Sequence, residues 1–443
     1  MAPWTCELTP TAPLTQPRII RFWLPLAGTW LMMAVEGPFL AAVIARLPEP
    51  RFNLAAYGVA YSLALLVEGP VIMMMSAATA LVRDRITYRR LRDFNVGLIV
   101  VLTTVMALLL VPSVFDAVAS GALDLQPEVA ERMRLAVALL LPWPGTIGFR
   151  RFYQGLLIRS GRTRLVAAGT VLRLTAMTAT GATLAVGSHL DGAAIGAAAL
   201  SAGVVIEALA SRIMAANTIR ELRSTEPQLV PPTSREIATF YWPLALTSML
   251  SLGIQPVVTF FMGHARAPLE SLAVLPVVMA LVFVFRSLGL AAQEVFIALM
   301  GDDWSGVVPL RRFATWLGLA AAAGLTLIVW TPLAGLWFRN VSGLSAELTT
   351  FALLPARILA PLPALTVLLS WQRAMCVNHR ATRHVTWATT TEVVGVVTVL
   401  VIAVPVAGWI GATAAVSALV CGRLAANLYL SRPLARLERG RTA

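Results

Sequence analysis

The stretch Phe22-Trp23-Leu24-Pro25-Leu26-Ala27 returns as Phe240-Tyr241-Trp242-Pro243-Leu244-Ala245, so that Pro25 and Pro243 set a repeat offset. Each copy opens an apolar block, 22–45 and 237–262. Such a block is long enough to cross a hydrocarbon core of about 30 Å as a helix. A proline inside a spanning helix removes a backbone donor and frees carbonyl groups. In lipid those groups must face protein or a watery cavity. Two helices marked alike therefore predict two similar bundles around a central cleft.

The register continues outward from this pair. Pro38 matches Pro256 at the same offset, and Pro142-Trp143-Pro144 matches Pro361-Leu362-Pro363 one position further on. Thr163-Arg164 then matches Thr382-Arg383. Twelve apolar blocks fit this register: 22–45, 54–81, 94–115, 133–157, 165–186, 193–215, 237–262, 271–299, 313–338, 348–375, 385–406 and 410–430. Six per copy is an even number, so both halves keep one orientation, as in a parallel repeat about the membrane normal. The expected fold class is an all-α integral membrane protein with twelve spans. Its segments are an N-terminal piece 1–18, a bundle 19–215, a linker 216–236, a bundle 237–430 and a tail 431–443.

Composition excludes the other classes. Of 443 residues 58% are hydrophobic and 13% charged, where a soluble domain has about 25% charged. Mean hydropathy is +0.77 over the whole chain, which rules out disordered and ordinary soluble proteins. A net charge of +13 would suggest nucleic acid in a soluble chain. Here all 35 cations are Arg, and most lie in short loops. With the N-terminus cytoplasmic, 21 Arg fall in inner segments and six in outer ones. The positive-inside bias thus puts both termini in the cytoplasm, and the expected location is a bacterial plasma (inner) membrane. The first block is too long for a signal-peptide core.

Catalytic and metal signatures are missing. Cys6, Cys376 and Cys421 lie far apart, and His189, His264, His379 and His384 fall in loops or helix ends. No zinc spacing, phosphate-binding loop or serine elbow occurs. The expectation is a non-enzyme without cofactor or metal, driven by a gradient.

With these residues in view, the chain resembles the multidrug/oligosaccharidyl-lipid/polysaccharide superfamily of exporters and flippases, with its MATE-like two-bundle fold. Within it the chain is most similar to the progressive ankylosis family of transporters. The residues that carry the likeness are Phe22-Trp23-Leu24-Pro25-Leu26, Tyr57-Gly58-Val59-Ala60-Tyr61-Ser62-Leu63 with Gly69-Pro70, Phe240 to Leu246, and Pro355-Ala356-Arg357-Ile358. The resemblance implies export of organic or phosphate-bearing anions such as citrate, ATP or pyrophosphate. It assigns no contact residue.

Charges inside the spans need a partner or a wet cavity, because each costs at least ~2.5–3.5 kcal/mol at the bilayer centre. Arg173 and Glu207 lie at similar depth on adjacent spans, and Glu392 and Arg423 repeat them with the signs exchanged. They are read as one structural ion pair per bundle. Glu36 precedes Pro38, Glu68 precedes Gly69-Pro70, and Arg286 stands at the repeat offset from Glu68. In the superfamily's fold these spans line the cleft, so Glu68 and Arg286 are candidates for a gate across it. The alternative is that each finds a partner within its own bundle. Arg150, Arg151 and Arg373 near inner span ends either reach the headgroups or form a cationic vestibule, which Arg357 would continue. Gln255, beside Pro256, completes the candidate substrate or gating set.

Three functions follow: a secondary exporter of a small anion by alternating access, a flippase for an anionic lipid-linked precursor, or a cation/drug antiporter using Glu36 and Glu68. The intramembrane excess of Arg over acids favours the first. Its partners would be the anion, the lipid bilayer and a coupling proton or sodium ion, with no nucleic acid, in a monomer.

Overall fold

A computed structural model describes residues 14–44, 46–123, 125–225, 232–301, 304–342 and 344–442. Most of the expected N-terminal piece, with Cys6, and the middle of the linker, 226–231, lie outside the described residues. The described chain is helical: α1 Gln16–Ile44, α2 Pro50–Glu68, α3 Met74–Leu81, α4 Arg85–Leu108, the short α5 Pro112–Asp116, α6 Pro127–Leu139, α7 Trp143–Arg159, α8 Thr163–Gly187 and α9 Gly192–Met214. There follow α10 Ala216–Ser224, α11 Ser234–Gly263, α12 Pro268–Leu299, α13 Val307–Trp330, the one-turn α14 Leu333–Gly335, α15 Ala346–Ile358, α16 Leu362–Asn378, α17 Thr382–Val401 and α18 Gly411–Thr442.

Eleven helical stretches of the described residues are long and apolar enough to cross a membrane. The expected block at 133–157 is not among them. It is helical, but it carries Arg134, Arg150 and Arg151 and is broken into α6 and α7 at Pro142-Trp143-Pro144. A proline without an N–H cannot continue the ladder, so the chain restarts one turn later. The same break parts α15 from α16 at Pro361-Leu362-Pro363. The repeat also shows in the connections. Gly161 and Arg380, at equivalent places in the two halves, both have positive φ, at 77° and 55°. Asn53 Oδ1 accepts from the Ala193 N–H, and Ser271 Oγ accepts from Ala412 at the equivalent place.

The helices group into two units, one of Leu31–Tyr241 and one of Thr11–Trp30 with Trp242–Ala443. The first half of α1 belongs to the second unit, where Gln16 donates to the Pro309 carbonyl and Trp23 to the Leu288 carbonyl, at 2.8 and 3.1 Å. The start of α11 belongs to the first unit, where the Tyr241 hydroxyl donates to the Pro70 carbonyl at 2.5 Å. These are matching contacts, since Trp23 and Tyr241, and Pro70 and Leu288, are each separated by the repeat offset. Side-chain hydrogen bonds, invisible to hydropathy, tie each of these half-helices to its unit.

Each unit has its own apolar core. Leu40, Ile44, Met106, Met133, Trp143 and Leu200 lie in the first, and Val258, Val278, Phe338, Leu359 and Leu400 in the second. Helices also meet closely at a pair of repeat-equivalent glycines. A Cβ on Gly203 would stand 3.0 Å from the Arg173 carbonyl oxygen, and one on Gly422 would stand 2.7 Å from that of Glu392. Membrane helices approach at such small residues because lipid supplies no hydrophobic drive between them. The approach brings α8 against α9 and α17 against α18, and with them the charges those helices carry.

Candidate functional site: two buried charge clusters

In the first unit, α1, α2, α7, α8 and α9 bring together Glu36, Glu68, Arg150, Arg151, Arg173 and Glu207. The fully buried Glu207 carboxylate is 2.5 Å from Arg150 Nη1 and 3.6 Å from Arg173 Nη1. Its other oxygen accepts from Gln154 at 3.0 Å and Thr170 at 3.1 Å. Arg173 pairs closely with Glu36 and lies over the Trp143 ring at 5.8 Å. Trp143 in turn donates to Glu68 Oε2 at 2.6 Å. Arg151 is within electrostatic reach of Glu68 and touches the Met75 sulfur at 4.0 Å.

The expected one-to-one pair of Arg173 with Glu207 is thus part of a larger network, in which the close partner of Glu207 is Arg150. Snorkelling also fails for Arg150, which is 2% exposed. It lies two turns inside α7, not at its end. A desolvated carboxylate has room for several donors, and α7 supplies Arg150 and Gln154 on one face, four positions apart. Three arginines face three glutamates here, so the formal charges of these six residues balance.

In the second unit, α12, α16, α17 and α18 carry Arg286, Arg373, Glu392 and Arg423. Arg423 places Nε 2.8 Å and Nη2 2.7 Å from one oxygen of Glu392, and its Nη1 reaches Thr366 at 3.4 Å. Arg373 donates to Thr389 at 2.9 Å. Arg286 is within electrostatic reach of both Glu392 and Arg423, and Arg373 likewise. Among the described residues, neither Arg286 nor Arg373 has a carboxylate at ion-pair distance, and the buried Nε of each lacks an acceptor. Among the described residues, then, one guanidinium is paired with Glu392 and two more lie within its electrostatic reach.

The two clusters are one framework with different charges. At the repeat offset, or one position beyond it, Glu68 becomes Arg286, Arg173 becomes Glu392, Gln154 becomes Arg373 and Arg150 becomes Leu369, while Thr170 stays as Thr389. These four exchanges cancel in charge; the imbalance comes from Glu36 and Glu207, which have no acid at the equivalent places, and from Arg423, which has no counterpart in the first unit. The repeat register contains these exchanges, but a search confined to charged residues passes over Gln154. Glu68 and Arg286, the expected gate, are each within electrostatic reach of charges in their own unit. Arg357 stands apart from the cluster, donating to the Val329 carbonyl at 3.2 Å and covering the Trp330 ring at 4.7 Å. Gln255 is exposed on α11.

No protein-family model and no curated protein matches the chain. Solved structures do. The Vibrio cholerae MATE transporter VcmN, in an aspartate-to-asparagine mutant, is 15% identical with a TM-score of 0.75, over 96% of this chain and 97% of that one. A multidrug resistance MATE family transporter of the MOP superfamily, in an outward-facing conformation, is 18% identical with a TM-score of 0.70, over 95% and 96%. A MOP superfamily transporter from Pyrococcus furiosus, described as having a binding pocket of reversed polarity, is 16% identical with a TM-score of 0.71, over 95% and 96%. At such identities the likeness is one of architecture, and the chain has the fold of the MATE transporters of the MOP superfamily.

Proposed function

We propose that the protein is a secondary transporter that exports a small organic or phosphate-bearing anion, of the citrate, ATP or pyrophosphate class, by alternating access. The carrying observation is the second unit's cluster, with Arg423 paired to Glu392 and two more arginines in its electrostatic reach, neither with a carboxylate at ion-pair distance among the described residues. Guanidinium groups stay charged in any environment and present paired donors to carboxylate or phosphate oxygens. Cations left this way inside a membrane protein call for a negative guest. The Pyrococcus neighbour's reversed pocket polarity and the likeness to the progressive ankylosis family support the same reading. Transport would be coupled to a proton or sodium ion, in a monomer in a bacterial inner membrane.

A cation/drug antiporter is the second reading, favoured by the multidrug neighbour and by the three buried carboxylates of the first unit. Each of those carboxylates, however, already holds an Arg or Trp donor. Counterflow in proteoliposomes separates the two. Uptake of labelled citrate, pyrophosphate or ATP, with none of an organic cation, is expected; the opposite pattern overturns the anion reading.

Export also requires the proposed orientation, with both termini inside. In a cysteine-free background, cysteines at the exposed His189 and Asn340 should react with an impermeant maleimide from outside. Those at Arg89 and Thr225, also exposed, should react only after permeabilisation. Inverted labelling would reject the orientation.

A further inference from the structure

The second unit's cluster has a definite charge, and the charge has a consequence for what it can hold. Arg does not deprotonate in proteins, and Glu392 has two nitrogens of Arg423 on one oxygen. The site accordingly carries two positive charges in excess. A desolvated complex is least costly when guest and site cancel, because the cost of burying charge grows steeply with the net charge left over. We infer that this site selects a small anion carrying two negative charges, a dicarboxylate or a phosphate monoester, drawn by Arg286 and Arg373 with Glu392 as a built-in counter-ion to Arg423. The inference rests on the anion reading above and deepens it.

The division of labour follows from the contacts. Arg423 is engaged by Glu392 and Thr366, whereas Arg373 has Thr389 and Arg286, among the described residues, has neither hydroxyl nor carboxylate. Both Arg286 and Arg373 are only partly buried, in contrast to Arg150 and Arg173 of the first unit. The first unit serves as an internal comparison: the same framework there carries its own acids, and the formal charges cancel. A monoanion in the second cluster would leave one guanidinium uncompensated, and a trianion would add a bare negative charge. Polyvalent anions of the citrate or nucleotide class would enter best in their doubly charged protonation states.

The test is counterflow in proteoliposomes with three aliphatic anions, butyrate, succinate and tricarballylate, at about pH 8, where all are fully ionised. Wild type should take up succinate at least about tenfold better than the other two. Arg373→Gln lowers the site charge by one and should move the preference to butyrate; Glu392→Gln raises it by one and should move it to tricarballylate. Glu392→Gln also strips Arg423 of its partner and risks misfolding, so Arg373→Gln, which loses only a hydroxyl contact, is the decisive variant. Preference for another valence in wild type, uptake of none of the three, or an unchanged order in a folded Arg373→Gln overturns the charge rule. Uptake of tricarballylate or butyrate first would overturn the rule while leaving the anion reading intact. Uptake of an organic cation alone would overturn the reading itself.

Discussion

Glu207→Ala is expected to lose about 3–5 kcal/mol of stability, the usual result of deleting one member of a buried ion network. The carboxylate is fully buried, with Arg150 at 2.5 Å and Arg173 at 3.6 Å. Its removal leaves Arg150 without an anion two turns inside a helix, and frees the donors of Gln154 and Thr170 as well. Thermal unfolding in detergent and the monodisperse yield would report the loss. The compensating change is legible in the repeat, where Leu369 stands in place of Arg150. Glu207→Ala with Arg150→Leu should therefore regain most of the yield, because a buried pair replaced by apolar groups is often neutral or better. Glu207→Ala with Arg173→Ala should regain less, since Arg150 stays bare and Glu36 loses Arg173. A double variant with Arg150→Leu no better than Glu207→Ala alone would refute the assignment of Arg150 as the main partner.

Arg286→Ala should behave in the opposite way, with normal expression and about a 100-fold loss of anion transport. Among the described residues, no carboxylate at ion-pair distance is stranded when this guanidinium goes, and one buried unsatisfied donor disappears. Stability should hold or rise slightly. Transport should fall because charge-assisted hydrogen bonds to an anion contribute about 1.5–3 kcal/mol each, and a guanidinium offers two in parallel. Labelled-anion counterflow against an expression-matched wild type measures it. Wild-type kinetics in Arg286→Ala would remove this residue from the transport path. Together the two variants would separate a cluster that holds the fold from one proposed to hold a guest.

Much of this arrangement was legible in the sequence, because prolines and charges are rare inside membrane helices and so mark register reliably. The duplicated Pro-x-Pro breaks and the exchanged signs of Arg173 and Glu392 stand out without coordinates. Depth counted from helix ends was less informative. It put Arg150 near an interface, when the break at Pro142 starts α7 afresh and leaves Arg150 inside it. Apolar periodicity has the same weakness, since lipid-facing and bundle-facing positions are both hydrophobic. For that reason the placement of Trp23 and Tyr241 could not be read from pattern, although each is fixed by one hydrogen bond to a carbonyl.

The placement of those two half-helices bears on how the chain can be made. The first half of α1 emerges from the ribosome before any other described helix, yet its partners Leu288 and Pro309 lie far downstream, in the second half of the chain. The earliest span must then wait in the bilayer, half of it unclaimed, until most of the protein has been inserted. Multidomain chains usually complete one domain before the next; here the order of synthesis and the order of completion run against each other. Severing the chain in the linker would give two fragments that each carry a piece of the other's unit. Co-expressed, they should find one another by trading those pieces, whereas either fragment alone would be left with an unfilled seat and a surplus arm.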